Sequence, residues 1–478
     1  MKILMVASEA VPFAKTGGLA DVVGALPQAL QALGRQVAVV LPLYRTAHPQ
    51  AAETVFPSLT TPLGTQTHFP AVQSLVHQGV RFYFVSYPPF FDRAGLYGTP
   101  EGEYPDNAER FALLCRAAIE IAQLDFRPDV MHCHDWQSAL VPVFLRSVYA
   151  RSAAGRLPVL FTIHNLGYQG LFRSDILGQI GLPRSLFTVD GLEFYSKVNL
   201  LKGGLVYSDA ISTVSRGYAR EIQTEEYGFG LEGLLRHRSL ALSGILNGVD
   251  YAHWNPATDP HLAAHYSPED LSGKRACKKD LLESFGLPTG NLDRPVIGIV
   301  SRLTVQKGAD LIAEAAPELA AEDLDLVVLG AGEAAYEQLL GNLAARYPER
   351  VAVRIAYDDA LAHKIEAGAD IFLMPSRYEP CGLNQIYSLK YGAVPVVRAT
   401  GGLDDTVENF DPATKKGTGF KFAEYSAKAM MESIRRALEA YRKPATWKKL
   451  MRNGMNQDYS WGASAAQYAR LYDSLVNR

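Results

Sequence analysis

Lys15-Thr16-Gly17-Gly18-Leu19-Ala20-Asp21 comes shortly after an apolar run, Ile3-Leu4-Met5-Val6-Ala7, and leads into a helical pattern from Asp21 to about Leu33. An unbroken apolar run of this length reads as a strand buried on both faces of a parallel sheet. Strand, paired glycines with a lysine, then helix make a turn that faces an anion. The glycines admit a ligand close to the backbone, the N–H groups at the helix start aim at it, and the helix dipole favours negative charge there. A phosphorylated ligand is therefore expected. The spacing matches neither the dinucleotide fingerprint nor the phosphate loop that ends in Lys-Ser/Thr, so nicotinamide and ATP lose their warrant. A glycine-rich turn with a solvated lysine is the alternative reading of the same residues.

The strand-then-helix alternation continues on both sides of the chain's midpoint. Gln36–Leu43, Val80–Ser86, Val130–His132, Val159–His164 and Ala210–Val214 read as strands of a first doubly wound sheet. From Pro295 the pattern restarts with Val296–Ser301, Leu324–Gly330, Val351–Tyr357, Asp370–Pro375 and Val394–Arg398, separated by helical segments such as Ala309–Ala321 and Ala360–Gly368. Asn247–Leu271, rich in Asn, Pro, Asp and His, separates the halves, and the hinge is placed near Gly248. The expected domains are residues 1–248 and 249–460, followed by a helical segment at about 461–478. The fold class is α/β with two doubly wound, Rossmann-like domains. Ligands of such sheets bind outside the carboxyl ends of the strands, so a cleft shared by the two is expected.

Composition narrows the partners. The 478 residues exceed what one hydrophobic core serves, and 48% hydrophobic with 20% charged residues is ordinary for a globular chain. A formal net charge of −3 gives no footing for nucleic acid or an anionic membrane surface and suits a neutral polymer better. No window approaches the roughly 18 apolar residues of a membrane span. No secretory or transit pattern opens the chain, so the cytoplasm is the expected compartment. Cys115, Cys133, Cys277 and Cys381 are scattered without a Cys-x-x-Cys pair, so neither a disulfide framework nor a zinc site is expected.

The spelling Lys-Thr-Gly-Gly-Leu-Ala-Asp-Val at residues 15–22, together with further segments along the whole chain, resembles the bacterial glycogen synthases and the related starch synthases. That resemblance implies the glycosyltransferase-B architecture, with the terminal helix crossing back to the first domain. It also implies an ADP-glucose donor, an α-1,4-glucan acceptor and transfer with retention, with no cofactor and no metal.

Several residues fit such chemistry. Arg302 and Lys307 lie around the first strand-to-helix loop of the second half, where two cations can hold a departing diphosphate in place of a metal. Thr400, Gly401 and Gly402 form a second glycine loop whose N–H groups are expected to cradle the same diphosphate. Glu379 can hydrogen-bond sugar hydroxyls, and Cys381, Gly382 and Leu383 begin a helix that can contact sugar or phosphate oxygens. Many related retaining transferases carry a second glutamate eight positions after the first; this chain has Tyr387, as the resembled bacterial enzymes do, and no catalytic role follows for it.

In the first half, Asp135 and His164 end strands where the resemblance places the donor glucose or the acceptor hydroxyl. Gly17, Gly18, Asp21, Asn165 and Asn247 join Lys15 as expected substrate contacts, and Tyr357 is expected to stack on the donor's base. His132 and His134 imitate a metal pair, but no third ligand has fitting spacing, and the two are expected on opposite faces of their strand. Asp323 and Asp325 are read as solvated charge at a strand edge. The catalytic set is thus Lys15, Asp135, His164, Arg302, Lys307 and Glu379. A sucrose- or trehalose-type synthase and a non-catalytic glucan-binding protein are the rival readings.

Overall fold

The computed structural model describes residues 1–47 and 49–477. These residues divide into two compact units: one comprises the described part of 1–214, 219–248 and 461–477, the other 215–218 and 249–460.

The first unit is built on a nine-stranded sheet. Its strands are β1 (Lys2–Val6), β2 (Gln36–Pro42), β3 (Glu53–Phe56), β4 (Ala71–His77), β5 (Val80–Ser86), β6 (Val130–His134), β7 (Val159–Ile163), β8 (Ala210–Thr213) and β9 (Leu242–Gly244). They lie in the order β9-β8-β7-β6-β1-β2-β5-β4-β3. All pairings are parallel except those of β4 with β5 and β3. Ile3, Leu4, Met5 and Val6 of the central strand are fully buried, as an all-apolar run in a covered parallel sheet requires. Helix α1 (Gly18–Ala32) covers it with Leu19, Val22, Val23, Leu26 and Leu30, the spacing of a single helical face. The order β2-β1-β6, with connections leaving on both sides of β1, puts a topological switch point at the carboxyl end of β1, where the Lys15 loop begins.

The second unit is an all-parallel six-stranded sheet of β10 (Val296–Val300), β11 (Asp325–Leu329), β12 (Val351–Arg354), β13 (Ile371–Met374), β14 (Val394–Arg398) and β15 (Phe420–Phe422). The order is β12-β11-β10-β13-β14-β15, so the switch point lies between β10 and β13. Helices α2 (Ala309–Ala321), α3 (Asp359–Gly368) and α4 (Asn384–Tyr391) follow β10, β12 and β13. The terminal helix α5 (Trp461–Val476) belongs to the first unit, where Tyr468, Tyr472 and Leu475 are buried with Ile3 and Val130 in one core. Gly248 lies against it so closely that a Cβ there would sit 2.5 Å from the Trp461 Cα. Arg478, the last residue of the expected 461–478 segment, lies outside the described residues.

Both sheets agree with the doubly wound expectation, with three local corrections. β6 runs two residues further than expected and carries both His132 and His134. Residues two apart on a strand share a face, and the two rings indeed stand 4.0 Å apart, which overturns the opposite-face expectation. β12 stops at Arg354, leaving Tyr357 in the loop before α3. Asp325 is not solvated charge: it is buried and meets the Arg294 guanidinium at 3.4 Å, while exposed Asp323 takes the other side of that arginine at 2.9 Å. Among the described residues no helix is long and apolar enough to cross a membrane.

Candidate active site

In the second unit the carboxyl ends of β10 and β13 open into a cavity of about 190 Å³. Arg302, Lys307, Glu379, Gly382 and Leu383 line it together, so five of the expected site residues converge although they span 82 positions (302 to 383) of the chain. Lys307 donates to both oxygens of Glu379, at 2.9 and 2.6 Å, and Ser376 donates its hydroxyl to the same carboxylate at 3.0 Å. Glu379 and Ser376 are buried, whereas Arg302 is exposed at the rim. The loop that carries Glu379 is held by its neighbours: Asn384 donates to the Val300 carbonyl at 2.7 Å, tying α4 to the end of β10. Gly382 adopts φ +70°, the left-handed region where a side chain is strained.

The second glycine loop is bonded to its neighbours within the second unit. The N–H groups of Thr400, Gly402 and Leu403 donate to the carbonyls of Arg398, Glu379 and Thr400 at 2.9, 3.0 and 3.0 Å. These three donors are used inside the protein. The glycines allow two loops to touch: a Cβ on Gly401 would lie 2.0 Å from the Glu379 carbonyl oxygen, and one on Gly402 1.9 Å from that of Cys381. Cys381 is buried between them. Tyr357 is 84% exposed and lies outside the residues lining the cavity.

In the first unit the Lys15 loop is likewise held from within. Glu9, buried at the end of β1, accepts from the Thr16 N–H, from the Thr16 hydroxyl at 2.6 Å and from the Gly17 N–H at 3.2 Å. Tyr97 donates its phenol to the same carboxylate and lies 2.7 Å from the Ser8 hydroxyl. A protein carboxylate therefore takes the two N–H groups just ahead of α1, those of Thr16 and Gly17, and fixes the loop that leads into the helix. What remains facing outward is the Lys15 ammonium, paired with Asp21 at 2.7 Å, and open space: a Cβ on Gly17 or Gly18 would meet nothing within 4 Å. Gly17 is in extended backbone, at φ −157°. Neither packing nor backbone geometry requires a glycine there.

Asp135 and His164 end the neighbouring strands β6 and β7 and are joined directly, the His164 N–H donating to Asp135 at 2.7 Å. Asp135 holds φ +57°, a region that Asp and Asn visit more readily than other side chains. Burial pushes its carboxyl up to about 7, opposed by the backbone N–H groups of His164 and Asn165 and assisted by the charge of Glu9. Burial drives the His164 imidazole down to about 3, so the ring is neutral near pH 7. Its Nε2 stands 3.0 Å from Nδ1 of His134. His132 meets Thr162 Oγ1 at 2.6 Å through Nε2 and the Tyr472 hydroxyl at 2.7 Å through Nδ1. With both its nitrogens engaged, His132 has none left for a metal. Asn165 caps its own turn by accepting from the Gly167 N–H at 3.0 Å. Asn247 is buried, and its Oδ1 has no hydrogen-bond partner among the described residues.

Glu9, Tyr97, Ser376 and Asn384 were missed from sequence, and the pairing of His134 with His164 was not foreseen. Glu9 alone left a readable sign, an acidic residue at the carboxyl end of the first strand; the others depend on long-range contacts.

Two doubly wound sheets, one bearing a cation–carboxylate cavity at its switch point, define a glycosyltransferase of the B-type fold. Residues 2–237 match the starch synthase catalytic domain, and residues 288–453 match glycosyl transferases group 1. The chain is 58% identical over 475 residues to a glycogen synthase of Koribacter versatilis (strain Ellin345), covering 99% of this chain and 98% of that one. It is 49% identical over 482 residues to a glycogen synthase of Anaeromyxobacter dehalogenans (strain 2CP-C), with full coverage of both. The catalytic domain of Starch Synthase IV from Arabidopsis thaliana, solved bound to ADP and acarbose, superposes with a TM-score of 0.91 at 34% identity, covering 100% of this chain and 99% of that one. The chain belongs to the glycogen synthase family. A sucrose-phosphate synthase from Thermosynechococcus elongatus shares the fold, with a TM-score of 0.62 at 18% identity.

Proposed function

We propose that this enzyme transfers glucose, with retention, from ADP-glucose to the non-reducing 4-hydroxyl of an α-1,4-glucan and releases ADP, in the cytoplasm. The observation that carries the reading is the cavity at the ends of β10 and β13, where Arg302 and Lys307 stand beside Glu379. A glucosyl diphosphate needs cations for its phosphates and acceptors for its sugar hydroxyls, and this cavity supplies both. An ammonium has three N–H donors, so Lys307 can keep its two contacts with Glu379 and still offer a third to phosphate. Lys15 adds charge from the first unit, and the empty space around Gly17 and Gly18 is room for the ligand it serves.

Asp135 and the neutral His164 hold hydroxyls of the transferred sugar or the acceptor; His164 does so by hydrogen bond rather than charge. Among the described residues no positioned nucleophile stands out, which favours front-face transfer. In that route the bond from C1 to the departing phosphate oxygen breaks as the bond from C1 to the acceptor oxygen forms on the same face. The acceptor proton passes to the departing phosphate. Arg302 and Lys307 stabilise the charge that grows on that phosphate, the place where an electrostatic contact lowers the barrier most. Tyr357 stacks on the adenine.

Incorporation of labelled ADP-glucose into glycogen, with UDP-glucose in parallel, tests the reading. Label entering α-1,4 linkages from ADP-glucose with the higher efficiency is expected. Equal or better efficiency with UDP-glucose would reject the donor, and no incorporation from either would reject the transferase.

A further inference from the structure

A second group of side chains in the second unit lies apart from the residues lining the cavity. His253, Asp359 and His363 present ligand atoms that all fall within 4.8 Å of one another. Asp359 and His363 are four residues apart on α3 and so share a face, and His253 comes from the turn that follows the start of the unit. Asp359 Oδ2 is 3.9 Å from Nε2 of each histidine, too far for a hydrogen bond and at about the spacing left when an ion is to be held between them.

His363 supplies the independent sign. It is completely buried, and its Nδ1 lies 2.6 Å from Asp259 Oδ2, an oxygen that also accepts from the Tyr391 hydroxyl at 2.6 Å. Its Nε2, on the side of Asp359 and His253, has no hydrogen-bond partner among the described residues. A buried imidazole nitrogen without a partner is costly. In the tautomer that donates Nδ1–H to Asp259, Nε2 carries the lone pair. This carboxylate–imidazole relay is how metal-ligating histidines are oriented and made more basic.

We propose that His253, Asp359 and His363 bind a divalent cation of the zinc class, with Asp259 as the positioning residue behind His363. Two imidazoles and a carboxylate suit Zn²⁺, which takes them at about 2.0–2.2 Å and leaves a fourth place for water. Closing the donors onto an ion asks for a movement of about 1 Å. His253 and Asp359 are each half-exposed and free to make it. The two carboxylates outweigh the positive end of the α3 dipole, which alone would repel a cation. The site would tie the segment that opens the second unit to α3. It lies against an aromatic stack: Trp254 is sandwiched between His363 at 3.7 Å and Tyr387 at 3.9 Å, both within 6° of parallel. Tyr387, standing where many related transferases carry a second glutamate, is thus part of this layer.

Titration of the untagged full chain, first stripped with chelator, with ZnCl₂ tests the proposal by calorimetry and Trp fluorescence. One saturable equivalent is expected, with a fluorescence change that Trp254→Phe abolishes. His253→Ala and Asp359→Asn, both at half-exposed positions that leave the fold intact, should each weaken binding at least tenfold. Asp259→Asn should cost about 10–100-fold, the range for outer-shell partners of ligating histidines. Co²⁺ in place of zinc should give a visible spectrum of nitrogen and oxygen ligands without thiolate absorption. Unchanged affinity in His253→Ala and Asp359→Asn, a thiolate spectrum, or no saturable binding would each overturn it.

Discussion

Lys15 and Lys307 both meet carboxylates, at 2.7 Å from Asp21 and 2.6 Å from Glu379, yet the two pairs are not equivalent. The first is 43% and 32% exposed, and a surface pair of this kind is worth only about 0–1 kcal/mol, so a donor phosphate can draw Lys15 away at little cost. Lys15→Gln should therefore weaken ADP-glucose binding markedly and leave glucan binding unchanged, because a neutral polymer gains little from a cation. Titration of both ligands decides it, and equal losses for the two would remove Lys15 from the donor. Arg302→Ala and Lys307→Ala should each lower kcat by about 10²–10³ with native circular dichroism, the usual loss of one contact aimed at developing charge. Near-native turnover in either would exclude that residue. Tyr357→Ala should raise the KM for ADP-glucose and spare kcat. At this scale the sequence was informative about which residues gather at strand ends, since Arg302, Lys307 and Glu379 each follow an apolar run. It was silent on competition for their hydrogen bonds. Nothing in Thr16-Gly17 shows that Glu9, seven residues earlier, takes their N–H groups, and nothing in Thr400-Gly401-Gly402 shows that the Glu379 carbonyl takes one of theirs.

Whole strands were easier to read than their ends. A strand covered on both faces is apolar throughout and announces itself, whereas its last residue is set by hydrogen bonds to a neighbour distant in sequence. β6 shows the consequence, because its two extra residues carry His134 to the side of His132 and place Asp135 at the turn beyond. The carboxyl of Asp135, pushed up to about 7 by burial, keeps its proton in the folded protein over a range where the unfolded chain, with an Asp near 3.9, has lost it. Its contribution to stability is accordingly full below about pH 4 and is lost as pH rises to about 7, the upper bound being its folded value. Asp135→Asn keeps the shape and the left-handed backbone but does not titrate. Its unfolding temperature relative to the unsubstituted chain should climb between those two values and then level off. A difference independent of pH would show that Asp135 is not desolvated. At the opposite ends of the strands, Lys278 and Asp370 form a buried pair at 2.6 Å, and Asp370 also accepts from the Val296 N–H at the start of β10. Lys278→Ala leaves that carboxylate buried without its cation and should cost about 3–5 kcal/mol, read from denaturant unfolding. Less than about 1 kcal/mol, the ceiling for an exposed pair, would mean that water reaches Asp370 freely.

For the whole molecule, the donor site and the histidine–carboxylate cluster differ in their need for a metal ion, and one experiment distinguishes them. The diphosphate of the donor is proposed to be met by Lys15, Arg302 and Lys307, fixed cations that take the part a divalent ion plays elsewhere. The histidine–carboxylate cluster on α3 is proposed to bind zinc, and none of its three ligands lines the cavity that holds Arg302, Lys307 and Glu379. The transfer reaction and the stability of the second unit should therefore respond differently to chelation. An ion that binds only the folded chain stabilises it by RT ln(1 + [ion]/Kd), about 2.7 kcal/mol at a hundredfold excess over Kd. Excess EDTA added to zinc-loaded enzyme should thus lower the unfolding temperature, and it should do so in the unsubstituted chain but not in His253→Ala. Over the same additions the initial rate of glucose transfer, assayed well below the transition, should stay constant. Loss of that rate in EDTA, with recovery on adding Mg²⁺ or Mn²⁺, would show that the three cations do not suffice and that a metal joins the diphosphate. A constant rate with an unfolding temperature that ignores both EDTA and His253→Ala would leave the metal-free transfer standing and remove the zinc site.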